Sequence, residues 1–159
     1  NLDICVEDIF AKILLTEAIR TKRKDILKAI AIHDIGDKDA VREAVHVLNK
    51  TGKKSIAVRD ADVGQDIKNH LLSFPGSRPP EVEVFTHPVV SSAIKEKYGI
   101  DINWILERDD ISDHHKIAKH VAQEAETEEE VIRSFAIEKY IGEISTEFDD
   151  LIFQIQKYL

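Results

Sequence analysis

Ser55-Ile56-Ala57-Val58-Arg59-Asp60-Ala61-Asp62 is the stretch on which the reading of the fold turns. A short apolar run, Ser55 to Val58, gives way at once to a turn rich in aspartate, as at the end of a buried strand. Upstream, Asn49-Lys50-Thr51-Gly52 closes a helix with a C-terminal glycine, and Val41, Ala44, Val45 and Leu48 form that helix's apolar stripe. Earlier still, the partly β-branched run Ile26 to Ile32 is closed by the turn formers His33-Asp34-Ile35-Gly36-Asp37. Leu2 to Val6 is a further apolar run, ending at Glu7, and Ile9 to Ile19 then carries Ile13, Leu14, Ala18 and Ile19 at helical spacing. Strand and helix thus alternate from residue 1 to about residue 72, which predicts an α/β fold with a parallel sheet and crossover helices. In such a sheet ligands sit at the carboxyl ends of the strands, and Glu7, Gly36-Asp37 and Asp60/Asp62 all fall on that rim.

Downstream the texture changes. Ser73-Phe74-Pro75-Gly76-Ser77-Arg78-Pro79-Pro80 is read as an irregular loop, and Glu81 to Phe85 as either a short strand or the opening of a helix. Thr86-His87-Pro88 launches a helix to about Tyr98, before Gly99. Ile111 to Glu126, Glu128 to Glu143 and Glu147 to Leu159 follow as helices, with Ile117, Val121, Val131, Phe135, Phe148, Leu151 and Ile155 as buried positions. The chain is therefore read as one domain, 1–159, with its core over about 1–87 and a mostly helical C-terminal part over about 88–159. The apolar last helix, with Ile152, Phe153, Ile155 and Leu159, is a surface that a second copy of the chain would complete.

The 159 residues are 43 % hydrophobic and 33 % charged, an ordinary globular balance that excludes a disordered tail. A single cysteine, Cys5, excludes a disulfide scaffold and suits a reducing, cytoplasmic setting. No apolar run approaches the ~20 residues that span a bilayer, and the first residues lack the basic region of a signal peptide. The missing initiator Met points to a fragment of a longer protein. A formal charge of −8 argues against gripping nucleic acid by net charge alone, because that binding is driven by Lys and Arg. It leaves room for a metal-dependent enzyme, whose site is itself a cluster of carboxylates.

Asp60-x-Asp62 is the sharpest local feature, since two carboxylates two residues apart on a turning backbone can converge on one cation. Glu7, at the end of another strand, adds a third. Acids crowded on one rim raise one another's pKa unless a cation or a base compensates. His114-His115 with Asp113 lack the spaced partners of a zinc site and are read as surface histidines. Glu128-Glu129-Glu130 are read as favourable charges at a helix start, and Trp104 as a packed side chain.

Ile4-Cys5-Val6-Glu7-Asp8 followed by a helix, the second unit ending Gly36-Asp37-Lys38-Asp39, and Ile56 to Asp62 together resemble the Toprim domain. That family has a glutamate after its first strand and D-x-D after its third. The loop Phe74 to Glu81, with its Pro80-Glu81 pair, is similar to that of the OLD (overcoming lysogenisation defect) family of ATPase-coupled nucleases. The resemblance covers essentially the whole chain. It implies a DNA endonuclease using two Mg²⁺ or Mn²⁺ ions, joined to an N-terminal ATPase in the parent protein, in nucleic-acid processing or anti-phage defence. Glu7, Asp60 and Asp62 would hold one ion, with Glu7 also orienting or deprotonating water. Glu81 and Asp113 would serve the second ion, and Lys139 would offset charge on the reacting phosphate. Asp8 stands where many Toprim domains have glycine, and Ala11 where related nucleases carry another acid, so a degenerate Toprim assembly module is one alternative. Val6-Glu7-Asp8 also resembles the acidic pair of receiver domains, in which Asp60 would accept a phosphoryl group, and a Mg²⁺-binding signalling domain is the other.

Overall fold

β1 (Leu2–Val6), α1 (Ile9–Arg23), β2 (Ile30–Asp34), α2 (Lys38–Lys50) and β3 (Lys54–Arg59) succeed one another in the computed structural model, which describes residues 1–159. A fourth strand, β4 (Leu71–Ser73), completes a sheet that is parallel throughout, in the order β2-β1-β3-β4. The path from β1 to β2 runs one way and the path from β2 to β3 passes back across β1. Right-handed crossovers then put α1 and α2 on opposite faces of the sheet. Alternation along β1 serves both faces. Cys5 joins Val41, Val45, Ala57 and Leu71 in an apolar cluster beneath α2. Leu2, Ile4 and Val6, pointing the other way, are buried, as are Phe10, Leu14, Leu15 and Ala18 on the inner side of α1.

The helix ends follow from local chemistry. Asp8 caps α1, its Oδ1 accepting from the Ala11 amide at 2.8 Å, and Arg20, Lys22 and Arg23 sit where the helix dipole favours cations. Asp37 caps α2 by accepting from the amides of Asp39 and Ala40 at 3.0 and 2.8 Å. Gly52, at φ +82°, lets the chain turn from α2 into β3. The strand expected over Ile26 to Ile32 is shorter than the apolar run. Lys24–Ala29 form a 3₁₀ turn, because β1 begins at Leu2 and Leu2 pairs with Ile30, so residues before Ile30 have no strand to join. β4 was not expected at all; its three residues pair with Ala57, Val58 and Arg59.

The chain divides into two compact units, Asn1–Pro80 with Ser145–Leu159, and Glu81–Ile144. The C-terminal helix α8 (Asp149–Gln156) and the 3₁₀ turn before it thus belong with the sheet, where Phe148, Leu151, Ile152 and Ile155 are buried and Asp149 pairs with Lys22 of α1 at 3.0 Å. Of the four apolar positions expected to face a neighbour, only Phe153 and Leu159 are exposed.

The second unit is all helical: α3 (Pro80–Thr86, entered from the first unit at Pro80), α4 (Pro88–Tyr98), α5 (Ile102–Arg108), α6 (Ile117–Glu124) and α7 (Glu129–Ile144). Pro80 at the first helical position turns Glu81 to Phe85 into helix rather than strand. The segment read as one helix from Ile111 is broken. Asp113 Oδ1 accepts from the His115 amide at 3.0 Å and starts a 3₁₀ turn, so α6 begins only at Ile117. The inner face of α7 is Ile132, Ala136, Ile137, Tyr140 and Ile144. Val131 is exposed and Phe135 half-buried, one residue off the expected stripe. Trp104 is not packed inside: it is 53 % exposed, with the Arg108 guanidinium 4.3 Å from its ring centre. No helix is long and apolar enough to cross a membrane.

Candidate metal centre

Because β1 and β3 are neighbours whose onward connections leave in opposite directions, their carboxyl ends border the topological switch point of the sheet. Glu7 lies there between the last paired residue of β1 and the Asp8 cap of α1, so its backbone is held from both sides. Asp60 directly follows β3. The turn beyond it is closed by the Val63 amide donating to the Asp60 carbonyl at 3.1 Å and by Arg59 Nη2 donating to the Gly64 carbonyl at 3.0 Å. The Phe74 amide donates to the Arg59 carbonyl at 2.9 Å, so the β3–β4 pairing runs right to the edge of the site.

Asp60 is 5 % exposed and its carboxyl is hydrogen-bonded to that of Glu7. Burial, the Glu7 hydrogen bond and the negative charges of Glu7, Asp8 and Asp62 push the Asp60 carboxyl up to about 9. Burial and the neighbouring negative charges thus disfavour the ionised Asp60 carboxyl, a cost that a hard cation held by Glu7 and Asp60 would relieve. Asp62 is exposed beside it, and Glu7 and Asp8 are half-buried. The carboxyls of Glu7 and Asp60, with the charge of Asp62 beside them, offer oxygen ligands of the kind Mg²⁺ or Mn²⁺ takes, while Asp8 caps α1.

Of the predicted trio, Glu7 and Asp60 are in contact, while Asp62 acts on Asp60 only through its charge; within the second unit the ligand atoms of Asp113, His114 and His115 lie within 4.8 Å of one another. The other rim acid, Asp37, is used up as the cap of α2. Asp37→Ala is expected to lower the unfolding free energy by about 1 kcal/mol in urea titration while leaving Mn²⁺ affinity unchanged. Asp8, which departs from the Toprim pattern and belongs to the receiver-like Glu7-Asp8 pair, is the N-cap of α1. Its place one residue before an apolar helical stripe is an N-cap signal, and its charge also bears on Asp60.

Glu81, Asp113 and Lys139 belong to the second unit. Glu81 is 5 % exposed in the first turn of α3, with His115 Nδ1 3.6 Å from its Oε1. His115 in turn is tied through its amide to Asp113, so these three residues form one neighbourhood. Lys139 lies on the exposed side of α7, its ammonium 5.6 Å from the Phe135 ring centre. Comparison with family models, with curated proteins and with solved structures finds no match to this chain.

Proposed function

We propose that this chain is a Toprim-type domain of the OLD kind whose acidic centre hydrolyses DNA phosphodiester bonds with divalent metal ions. The observation that carries the reading is the buried Asp60 hydrogen-bonded to the half-buried Glu7 at the switch point, with the charges of Asp8 and Asp62 acting on it. A buried carboxyl crowded by negative charges marks a place where a dication is a favourable occupant. Bound Mg²⁺ or Mn²⁺ supplies an activated water and stabilises the leaving oxygen. Asp60, Asp62 and Glu7 would hold one ion, and Glu7, within hydrogen-bond reach of Asp60, would also orient or deprotonate the attacking water. Glu81 and Asp113 would serve a second ion and Lys139 would offset charge on the phosphate; these roles rest on the family resemblance. So do the ATPase in the parent protein and the defence role, while the cytoplasmic setting rests on the single cysteine, Cys5.

The test is nicking of supercoiled plasmid by the full chain in Mn²⁺ or Mg²⁺, with a chelator control. Metal-dependent nicking is the expected result. Absence of nicking together with absence of Mn²⁺ binding at millimolar concentration leaves the degenerate assembly module instead.

One observation favours a second reading. The order β2-β1-β3-β4, with acids after β1 and an aspartate after β3, matches the first part of the flavodoxin-like order shared by receiver domains. Against it, the sheet ends at β4, and residues 60–70 join β3 to β4 with only a 3₁₀ turn, where a receiver continues with helices and a fifth strand. Labelling of Asp60 by acetyl phosphate would select the receiver reading.

A further inference from the structure

In a chain with eight more acids than bases, basic side chains should find acidic partners. Several in the first unit do: Lys12 pairs with Asp34, Arg20 with Glu17, Lys22 with Asp149 and Arg23 with Asp25. Others do not, and a group of these gathers in one region. Arg42, His46 and Lys50 recur every four residues along one face of α2 and line a concavity of about 560 Å³ together with Lys68 and His70. Arg42, Lys50 and Lys68 form no ion pair, although Glu43 borders the same hollow and Asp66 lies near Lys68. Complementarity to the helix dipole accounts for Lys50 in the last turn of α2, but not for Arg42, nor for Lys68 on a different segment.

A second hollow of about 270 Å³ shares Asn49 and His70 with the first and adds Lys53, Lys54 and Lys157. The two adjoin as one basic band. Lys54 opens β3 and Asp60 follows its last residue, so the Lys54 end of the band lies about 20 Å from the acidic centre along that strand, whereas Arg42, in the second turn of α2, lies toward the carboxyl end. A phosphate held at the Lys54 end is therefore not one held at the acids.

We propose that this band binds the phosphate backbone of a nucleic-acid strand, without metal, at a site separate from the acidic centre. Three features favour a polyanionic strand over a single small anion. The cations are spread over two joined hollows. Along α2 Arg42 and Lys50 stand about 12 Å apart with the His46 ring between them, so they meet charges spaced along a strand. Tyr158, edge-to-face with His70 at 5.7 Å, sets an aromatic ring beside the cations where a base can stack. Mixed aromatic and basic lining of this kind grips single strands with little sequence preference. The proposal goes beyond the cleavage reading and does not depend on it.

The experiment uses the full-length Asp60→Asn chain in EDTA, so that neither metal nor cleavage contributes. Anisotropy of a labelled single strand of about 20 nucleotides is followed from about 50 to 200 mM salt. The Arg42→Gln/Lys50→Gln/Lys68→Gln variant, altered only at exposed positions, is expected to bind at least about tenfold more weakly. Its log–log salt slope should be shallower by about 2, the loss of three phosphate contacts at about 0.7 each. Lys24→Gln/Lys28→Gln/Lys38→Gln, the same charge change elsewhere in the first unit, should leave affinity within about twofold. Equal losses in the two variants would overturn the proposal. A salt slope near zero for the unsubstituted band would do so without any variant. Displacement of the strand by polyglutamate as readily as by unlabelled strand would show that an acidic peptide is the ligand class instead.

Discussion

Asp60→Asn is expected to abolish divalent-dependent nicking, by at least about 100-fold, while making the metal-free protein more stable. The two effects have one cause. Asp60 is nearly fully buried, shares a proton with Glu7 and feels the charges of Glu7, Asp8 and Asp62, so the folded state has to carry it protonated at neutral pH. An amide of the same shape occupies the position without that requirement and can still donate to Glu7. The gain is on the order of 2 kcal/mol, or about 4–8 °C in Tm for a chain of this size. The loss of function follows because an amide is a neutral, weaker ligand that cannot balance a dication beside Asp62. Mn²⁺ should raise the Tm of the unsubstituted protein and leave Asp60→Asn unmoved. A metal-free Asp60→Asn protein that is less stable than its parent would mean that the carboxyl is there for packing, and the metal reading would go with it.

The placing of Glu7 beside Asp60 is legible in the sequence. Glu7 and Asp60 each follow a run too apolar to be anything but a buried strand, Leu2 to Val6 and Ile56 to Val58, and parallel strands bring their carboxyl ends to one rim. Asp37 obeys the same rule and yet faces away from the chemistry, because β2 is the outer strand and the first turn of α2 consumes the side chain. Position along the chain specifies the rim; strand order specifies which part of the rim is the crevice. Strand order was not readable. β4 shows why: three residues are too few for any periodicity, and Leu71 to Ser73 form a strand only because β3 offers them a paired edge. Ile26 to Ala29 are the converse, an apolar stretch of good strand formers left without a neighbour to pair with. In the helical unit the errors are of phase. Val131 and Ile132 are both β-branched and apolar, and a stripe drawn through either fits the sequence, but only the one through Ile132, Ala136 and Tyr140 is buried.

Metal affinity should climb with pH far beyond the range in which ordinary carboxylates titrate. A carboxyl with its usual pKa near 4 is fully ionised at pH 6, and binding of Mn²⁺ there would be flat with pH. Asp60, raised to about 9, is protonated across that range, so each bound ion has to displace about one proton. Apparent affinity then rises with pH above pH 6, where ordinary carboxylates no longer titrate, until the Asp60 carboxyl has lost its proton. Calorimetry of Mn²⁺ binding in two buffers of different ionisation enthalpy reads the proton directly. The stability of the metal-free protein carries the opposite sign. A carboxyl whose folded pKa exceeds its unfolded one binds more protons in the folded state between those values. Its contribution is therefore fully present below about pH 4 and is lost as pH rises through about 9. Metal-free protein should lose Tm over that window, saturating Mn²⁺ should restore it most at the alkaline end, and Asp60→Asn should flatten both curves. A pH-independent Mn²⁺ affinity between 6 and 9 would mean that Glu7 and Asp60 share no proton, and that the carboxylates at the switch point are already ionised and spaced as ordinary surface acids.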